Sequence, residues 1–410
     1  MNIKLIFFII TYISSEQWSF KMNFLQQYPY IVLNLGSMGQ NTKTFIDIAH
    51  NFSFISANAY YYDESFSYFR LDEHLTPFYY NKTELKGYLS KEVINYLGKN
   101  YAFTNFFLIH TELLYAKNDI YSKSVLSLSR NNSMNNYSLL NQLVHRGVLK
   151  RNVLSLDYYF TKEIHFGWDG HAEKNNQKFT CTISDYKDTR WNCRMKSIET
   201  IIHTKYKDNI TENKNTTVYF DSNMFFNIVP NYFLRHLIKN MFTFLNEQYC
   251  DESSYRNLIT YLCEDKGIEV FKENNVSMNI NFEDNFTITI PNEFLFNNKG
   301  EFVFAARDIP DFDEDDLEGD GEEGKGSSGD DWKEEYIFGY SFLRLLSVSF
   351  DGDLKEVRFY NDRYLHFTNN KNITNVKLIK IIFIMNVILI IMKVFEYILL
   401  FKVFNAFNIN

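Results

Sequence analysis

Glycine and proline are scarce in this sequence, at 16 and 5 of 410 residues. It contains no Gly-rich phosphate loop, no nucleophile elbow and no zinc-peptidase helix motif. Those absences leave the common phosphoryl-transfer, serine-hydrolase and zinc-hydrolase signatures without support. The 9 histidines stand at no metal-ligand spacing, and no Cys-x-x-Cys is present, so neither metal nor cofactor is expected. His165 and His171 flank a Gly-Trp-Asp-Gly turn and read as structural or surface residues. A basic surface is missing too. Asp308 to Glu335 holds fourteen acidic residues against Lys325 and Lys333, a local charge of −12 within a total of −8, which leaves the remainder near +4. Nucleic-acid binding therefore has no electrostatic support. The acidic Gly/Ser tract cannot bury a core and is expected to be a disordered surface insertion.

What is abundant is Phe and Tyr, with 40 and 29 residues, and aromatic and Ile-rich runs favour strands over helices. The length allows a large core and two or three domains. Four cysteines, Cys181, Cys193, Cys250 and Cys263, suit an oxidising compartment. They allow three pairings, and their spacing suggests two local loops, 181–193 and 250–263. Lys4 followed by the apolar run Leu5 to Ile13 has the pattern of a secretory leader, placed at residues 1–18. Ile381 to Phe401 is apolar except for Asn386, Lys393 and Glu396, and is long enough to cross a bilayer as a helix over 378–402. The expected placement is a monomer in the secretory pathway, anchored to a membrane by that single helix. Several Asn-x-Ser/Thr sequons occur, including Asn51, Asn81 and Asn215.

The stretch that matters most is Lys43 to Ala57. One charged residue, Asp47, sits between Phe45-Ile46 and Ile48-Ala49, and burying an ionised carboxylate costs several kcal/mol unless it is held by partners. Alone it reads as a turn residue at a strand end. A second copy changes that reading: Val218-Tyr219-Phe220-Asp221-Ser222-Asn223 repeats the apolar strand, the Asp and the polar turn. Two such units, one per half of the chain, suggest that a carboxylate from each half meets in one site.

Other elements follow from periodicity. Tyr28 to Gly36 reads as a strand and turn, Pro77 to Val93 as a hairpin turning near Asn81, and Phe103 to His110 as a strand. Ser138 to Gly147 is an amphipathic helix with Gly147 as its stop. Val153 to Phe160 and Glu163 to Phe166 return to strand character, as does Trp191 to Ile202. Asn231 to Leu245 is helical, and Val276 to Phe296 alternates as a hairpin does.

In this order the pattern resembles the pepsin-like aspartic peptidases from about Tyr28 to Tyr360. Asp47 lines up with that family's Asp-Thr-Gly-Ser element, and Phe54 falls where the family has a Trp. Tyr80 and Gly87 are spaced like its flap tyrosine and a turn glycine. Val153-Leu154-Ser155-Leu156 and Glu163 to Asp169 resemble strands of the same family. Ile-Phe-Gly-Tyr-Ser-Phe-Leu-Arg at 337–344, then Val-Ser-Phe-Asp at 348–351, is the clearest match. The resemblance implies a mainly β fold of two lobes, 22–185 and 186–366, with a peptide or protein held in the cleft between them. It implies catalysis by Asp47 and Asp221 through a bound water, with Tyr80, Ser222 and Phe54 as substrate-binding residues and no metal.

The departures fall on the same site. The family's Asp-Thr/Ser-Gly-Thr/Ser reads Asp47-Ile48-Ala49-His50 and Asp221-Ser222-Asn223-Met224 here. Ser222 keeps one of the two hydroxyls that lock the turns together, and Ile48 cannot supply the other. Side chains at Ala49 and Asn223 are expected to obstruct the backbone N–H groups that face the carboxylates. His50 replaces a residue that orients the Asp, and Ser127 stands where the family's first lobe has Gly. No basic pro-segment precedes Tyr28. Two readings result: a membrane-anchored aspartic endopeptidase, or a catalytically inactive protein of the same fold that binds a peptide or protein partner.

Overall fold

The computed structural model describes residues 17–25, 28–80, 83–110, 124–130, 137–172, 178–201, 210–242, 249–255, 257–307, 335–360 and 366–369. Residues 1–16, which fall in the expected leader, most of the acidic tract and the apolar segment 381–401 lie outside the described residues. Among the described residues no helix is long and apolar enough to cross a membrane.

The fold is mainly β, in sheets of six, nine and ten strands. The two larger sheets carry the same central motif. In the N-terminal half, strand Gln40–Asp47 runs parallel to Ser124–Ser127, which pairs antiparallel with Phe54–Ser56, which runs parallel to Lys99–Ile109. In the C-terminal half, Ile210–Phe220 runs parallel to Tyr336–Phe338, which pairs antiparallel with Asn227–Ile228, which runs parallel to Phe304–Arg307. A strand entering between two others in this way is buried on both faces, which is why Val125-Leu126 and Ile337-Phe338 are fully apolar.

The six-stranded sheet joins the halves. Its order is Trp18–Lys21, Glu163–Phe166, Val153–Asp157, Ser347–Asp351, Glu356–Tyr360 and Lys178–Thr182. Its middle pair, Val153–Asp157 against Ser347–Asp351, is antiparallel and comes from opposite halves. On either side of that pair the strand order is the same, edge strand outermost. Lys178–Thr182, grouped by sequence with the first half, pairs along its length with Glu356–Tyr360.

Trp18, placed at the end of the expected leader, is fully buried and stacks on Tyr96 with centroids 4.6 Å apart. Its strand is the outer partner of Glu163–Phe166. A leader ending at residue 18 would include the first residue of this strand. Both cysteine pairs are local, Cys181–Cys193 and Cys250–Cys263. The first ties the six-stranded sheet to strand Asn192–Ile201 of the ten-stranded one; the second closes the hairpin Cys250–Tyr255 and Leu258–Cys263.

Candidate active site

Asp47 ends its strand and Asp221 follows directly after its own, at equivalent places in the two repeated motifs. Both side chains are buried. Their carboxylates and the His50 imidazole bring one donor atom each within 4.8 Å of one another. The halves are tied at this point by Ser222. Its hydroxyl donates to the Ile46 carbonyl at 2.8 Å and accepts from the Ile48 N–H at 3.3 Å. One hydroxyl thus makes both contacts across the pair of turns, and Ile48 adds none.

The loss of the turn glycines does not cost the backbone donors. The Ala49 and His50 N–H groups reach Asp47 Oδ1 at 2.8 and 2.9 Å, and the Asn223 N–H reaches Asp221 Oδ1 at 2.8 Å. Neither Ala49 nor Asn223 has a positive φ, so a side chain fits both positions without strain. The expected obstruction is corrected on that ground. The two halves differ one strand away. A Cβ on Gly339 would stand 2.3 Å from the Phe226 carbonyl oxygen, so only glycine fits. At the equivalent position Ser127 is accommodated, and its hydroxyl donates to the His50 carbonyl at 2.6 Å.

His50 takes up the orienting role. Its Nδ1 lies 3.0 Å from Asp47 Oδ2. Tyr80, on strand Thr76–Tyr80 of the hairpin with Thr83–Tyr96, also reaches that oxygen, its hydroxyl donating at 2.6 Å. The Asn223 side-chain amide donates to the Tyr80 hydroxyl at 2.9 Å. Tyr80 therefore bridges the two halves over the carboxylates, 1% exposed, with its ring edge-on to Phe54 and 4.5 Å from the His50 ring.

Burial is the largest influence on Asp47 and would raise its pKa, but the His50 charge and the hydrogen bonds from His50 and Tyr80 outweigh it and hold the group below the ordinary carboxylate value. Asp221 is pushed up, mainly by burial and further by the Asp47 charge, against the opposing pull of His50 and of the Asn223 and Met224 N–H groups. For His50, burial works downward and is overcome by Asp47 and then Asp221, which lift it to about 9. The directions favour an ionised Asp47 paired with a protonated His50, beside an Asp221 that holds its proton to higher pH than an ordinary carboxylic acid.

The residues expected to contact substrate are placed otherwise. Ser222 is fully buried with its hydroxyl used between the turns, and Phe54 is fully buried as a wall behind Tyr80. Tyr80 lies against Asp47 within an aromatic cluster that includes Phe45, Phe54, Phe78 and Phe107. The side chains that sequence reasoning did not place in the site are His50, as an active partner, and Asn223. Their positions immediately after the two aspartates were the available signal. Compared with models of known protein families and with curated protein sequences, the chain matches none.

Proposed function

We propose that this chain is a pepsin-like, bilobal aspartic peptidase of the secretory pathway, anchored by its C-terminal apolar segment. The observation that carries the reading is the meeting of Asp47 and Asp221 from two topologically equivalent motifs, with their proton affinities driven in opposite directions. That division suits general acid–base hydrolysis of an amide. Ionised Asp47 takes a proton from water as its oxygen attacks the carbonyl carbon. Protonated Asp221 gives its proton to the carbonyl oxygen, and collapse of the tetrahedral species returns a proton to the leaving nitrogen. Pairing with His50 makes Asp47 a weaker base, so turnover is slow by comparison with an unpaired carboxylate. Peptide entry requires the Tyr80 hairpin to lift, because its hydroxyl occupies hydrogen-bonding positions on Asp47 and Asn223.

The seat of Tyr80 also favours a second reading, a non-catalytic binding protein whose hairpin opens for a partner. Incubation of the purified full-length protein with a mixed peptide library from about pH 3 to 7 separates the two. Products that disappear in Asp47→Asn support the peptidase; the absence of any product across the range removes it.

A further inference from the structure

Beyond the peptidase reading, and without depending on it, the same cluster has the composition of a metal site. Asp47, His50 and Asp221 are the group of that kind found among the described residues, with one donor atom from each all within 4.8 Å of one another. Zinc holds carboxylate oxygens and imidazole nitrogens at about 2.0–2.2 Å in a tetrahedral shell, so donors on one ion stand about 3.4 Å apart. His50 Nδ1 and Asp47 Oδ2, at 3.0 Å, already stand within that separation. We propose that Asp47, His50 and Asp221 bind a single first-row divalent cation, with zinc as the probe.

Three features of the site favour such an ion. First, the carboxylates are held by backbone: Ala49 and His50 N–H groups on Asp47 Oδ1, and the Asn223 N–H on Asp221 Oδ1. Outer-shell bonds of this kind fix ligand direction before the metal arrives. Second, His50 Nδ1 and Asp47 Oδ2 already face one another at 3.0 Å. A cation takes the place of the hydrogen between them, the displaced proton passing to solvent. Third, the Tyr80 hydroxyl lies 2.6 Å from Asp47 Oδ2, which puts a fourth donor, the third oxygen, beside the group. One nitrogen and two or three oxygens suit zinc or its first-row neighbours, whereas magnesium prefers an octahedral, largely hydrated oxygen shell. The constellation has no sequence signature because Asp221 lies 174 residues beyond Asp47, far outside any local ligand spacing. An ion there would occupy both carboxylates and exclude the water that hydrolysis needs.

The test is calorimetric titration of chelator-treated, purified full-length protein with Zn²⁺, and separately with Mg²⁺. One zinc per chain and no magnesium is expected. His50→Gln and Asp221→Asn should each weaken zinc by more than the ~10–100-fold typical of losing an outer-shell partner. His74→Gln, at an exposed position, should leave it unchanged. No zinc uptake by the wild type, or unchanged uptake by both ligand variants, overturns the proposal. Should either variant fail to fold, X-ray absorption of the zinc-loaded wild type decides. A single histidine in the shell is expected; none, or more than one, overturns it. Hydrolysis is not read in any arm, so a negative result leaves the peptidase reading intact.

Discussion

Ser222 shows how much one hydroxyl does when two turns must meet. It is fully buried and serves both the Ile46 carbonyl and the Ile48 N–H across the halves. Ser222→Ala leaves both backbone groups unpaired away from water, and each unsatisfied buried group costs about 1–3 kcal/mol. A drop in unfolding free energy of at least about 1 kcal/mol in urea titration is expected; no change would mean the tie is dispensable. Tyr80→Phe removes the O–H that donates to ionised Asp47. Hydrogen bonds to charged groups contribute about 1.5–3 kcal/mol, so the variant should be destabilised by that amount, with the hairpin lifting more readily. Faster amide exchange confined to strand Thr76–Tyr80 and its partner is the local readout; unchanged exchange there would show that Tyr80 does not hold the hairpin down.

Among the elements, the legible ones were those whose apolar period agreed with their final burial. Leu139–His145 forms with Leu139, Leu140 and Leu143 buried and Gly147 at positive φ, as its spacing and stop residue indicate. Ser277–Phe282 and Phe286–Ile290 alternate as a hairpin should and pair as one. The Asp47 and Asp221 turns were visible because each follows a short apolar run, Phe45-Ile46 and Val218-Tyr219-Phe220, at the end of its strand. The helix Asp265–Glu273 was not legible, since it holds Gly267, a residue that disfavours helix interiors. A Cβ there would stand 3.0 Å from Tyr249 Cβ, a tight contact that glycine avoids. The polar strand Cys250–Tyr255 was hidden as well, being defined by its partner and the disulfide more than by its own pattern. His50 could be read only as a departure, because a side chain's direction relative to the neighbouring carboxylate is not written in sequence order. At this scale the Cys181–Cys193 bridge is the element to remove. It links two sheets across a separation of 12 residues, and a loop of that order contributes about 2–4 kcal/mol. Cys181→Ser with Cys193→Ser should lower the midpoint of thermal unfolding by several degrees; an unchanged midpoint would contradict that role.

For the molecule as a whole, the seam between the halves is a buried polar network in the six-stranded sheet. Arg358 donates to Asp169 at 2.9 Å and to Asp351 at 2.6 Å, and Ser349 and Tyr360 donate to Asp169 as well. Burial opposes the Asp169 charge, but the bonds from Ser349, Tyr360 and Arg358 prevail and depress its pKa. A depressed carboxylate contributes stability that is present above its unfolded value of about 3.8 and is lost as pH falls through the lower folded value. Arg358→Leu removes the cation from Asp169, while Asp351 keeps Arg151 at 2.6 Å, and breaking such a buried pair costs about 3–5 kcal/mol. The variant should unfold at lower urea than the wild type at neutral pH, with the gap narrowing below about pH 4 as Asp169 protonates. A gap independent of pH would show that the loss is one of packing alone.

The same whole-molecule arrangement makes the central claim testable in one series. The two carboxylates are held to act as one unit, so their removal should not be additive. Rates of peptide cleavage by the full-length protein, Asp47→Asn, Asp221→Asn and the double variant are to be compared between about pH 3 and 7, with a chelator present throughout. In the proposed mechanism the catalytic form has Asp47 ionised and Asp221 protonated. Its activity should therefore fall on the acid side below the ordinary carboxylate value and on the alkaline side above it, from the directions of the two shifts. The account predicts that each single variant loses about as much activity as the double. Cleavage that persists in either single variant, or losses that multiply in the double, would contradict a shared Asp47–Asp221 site.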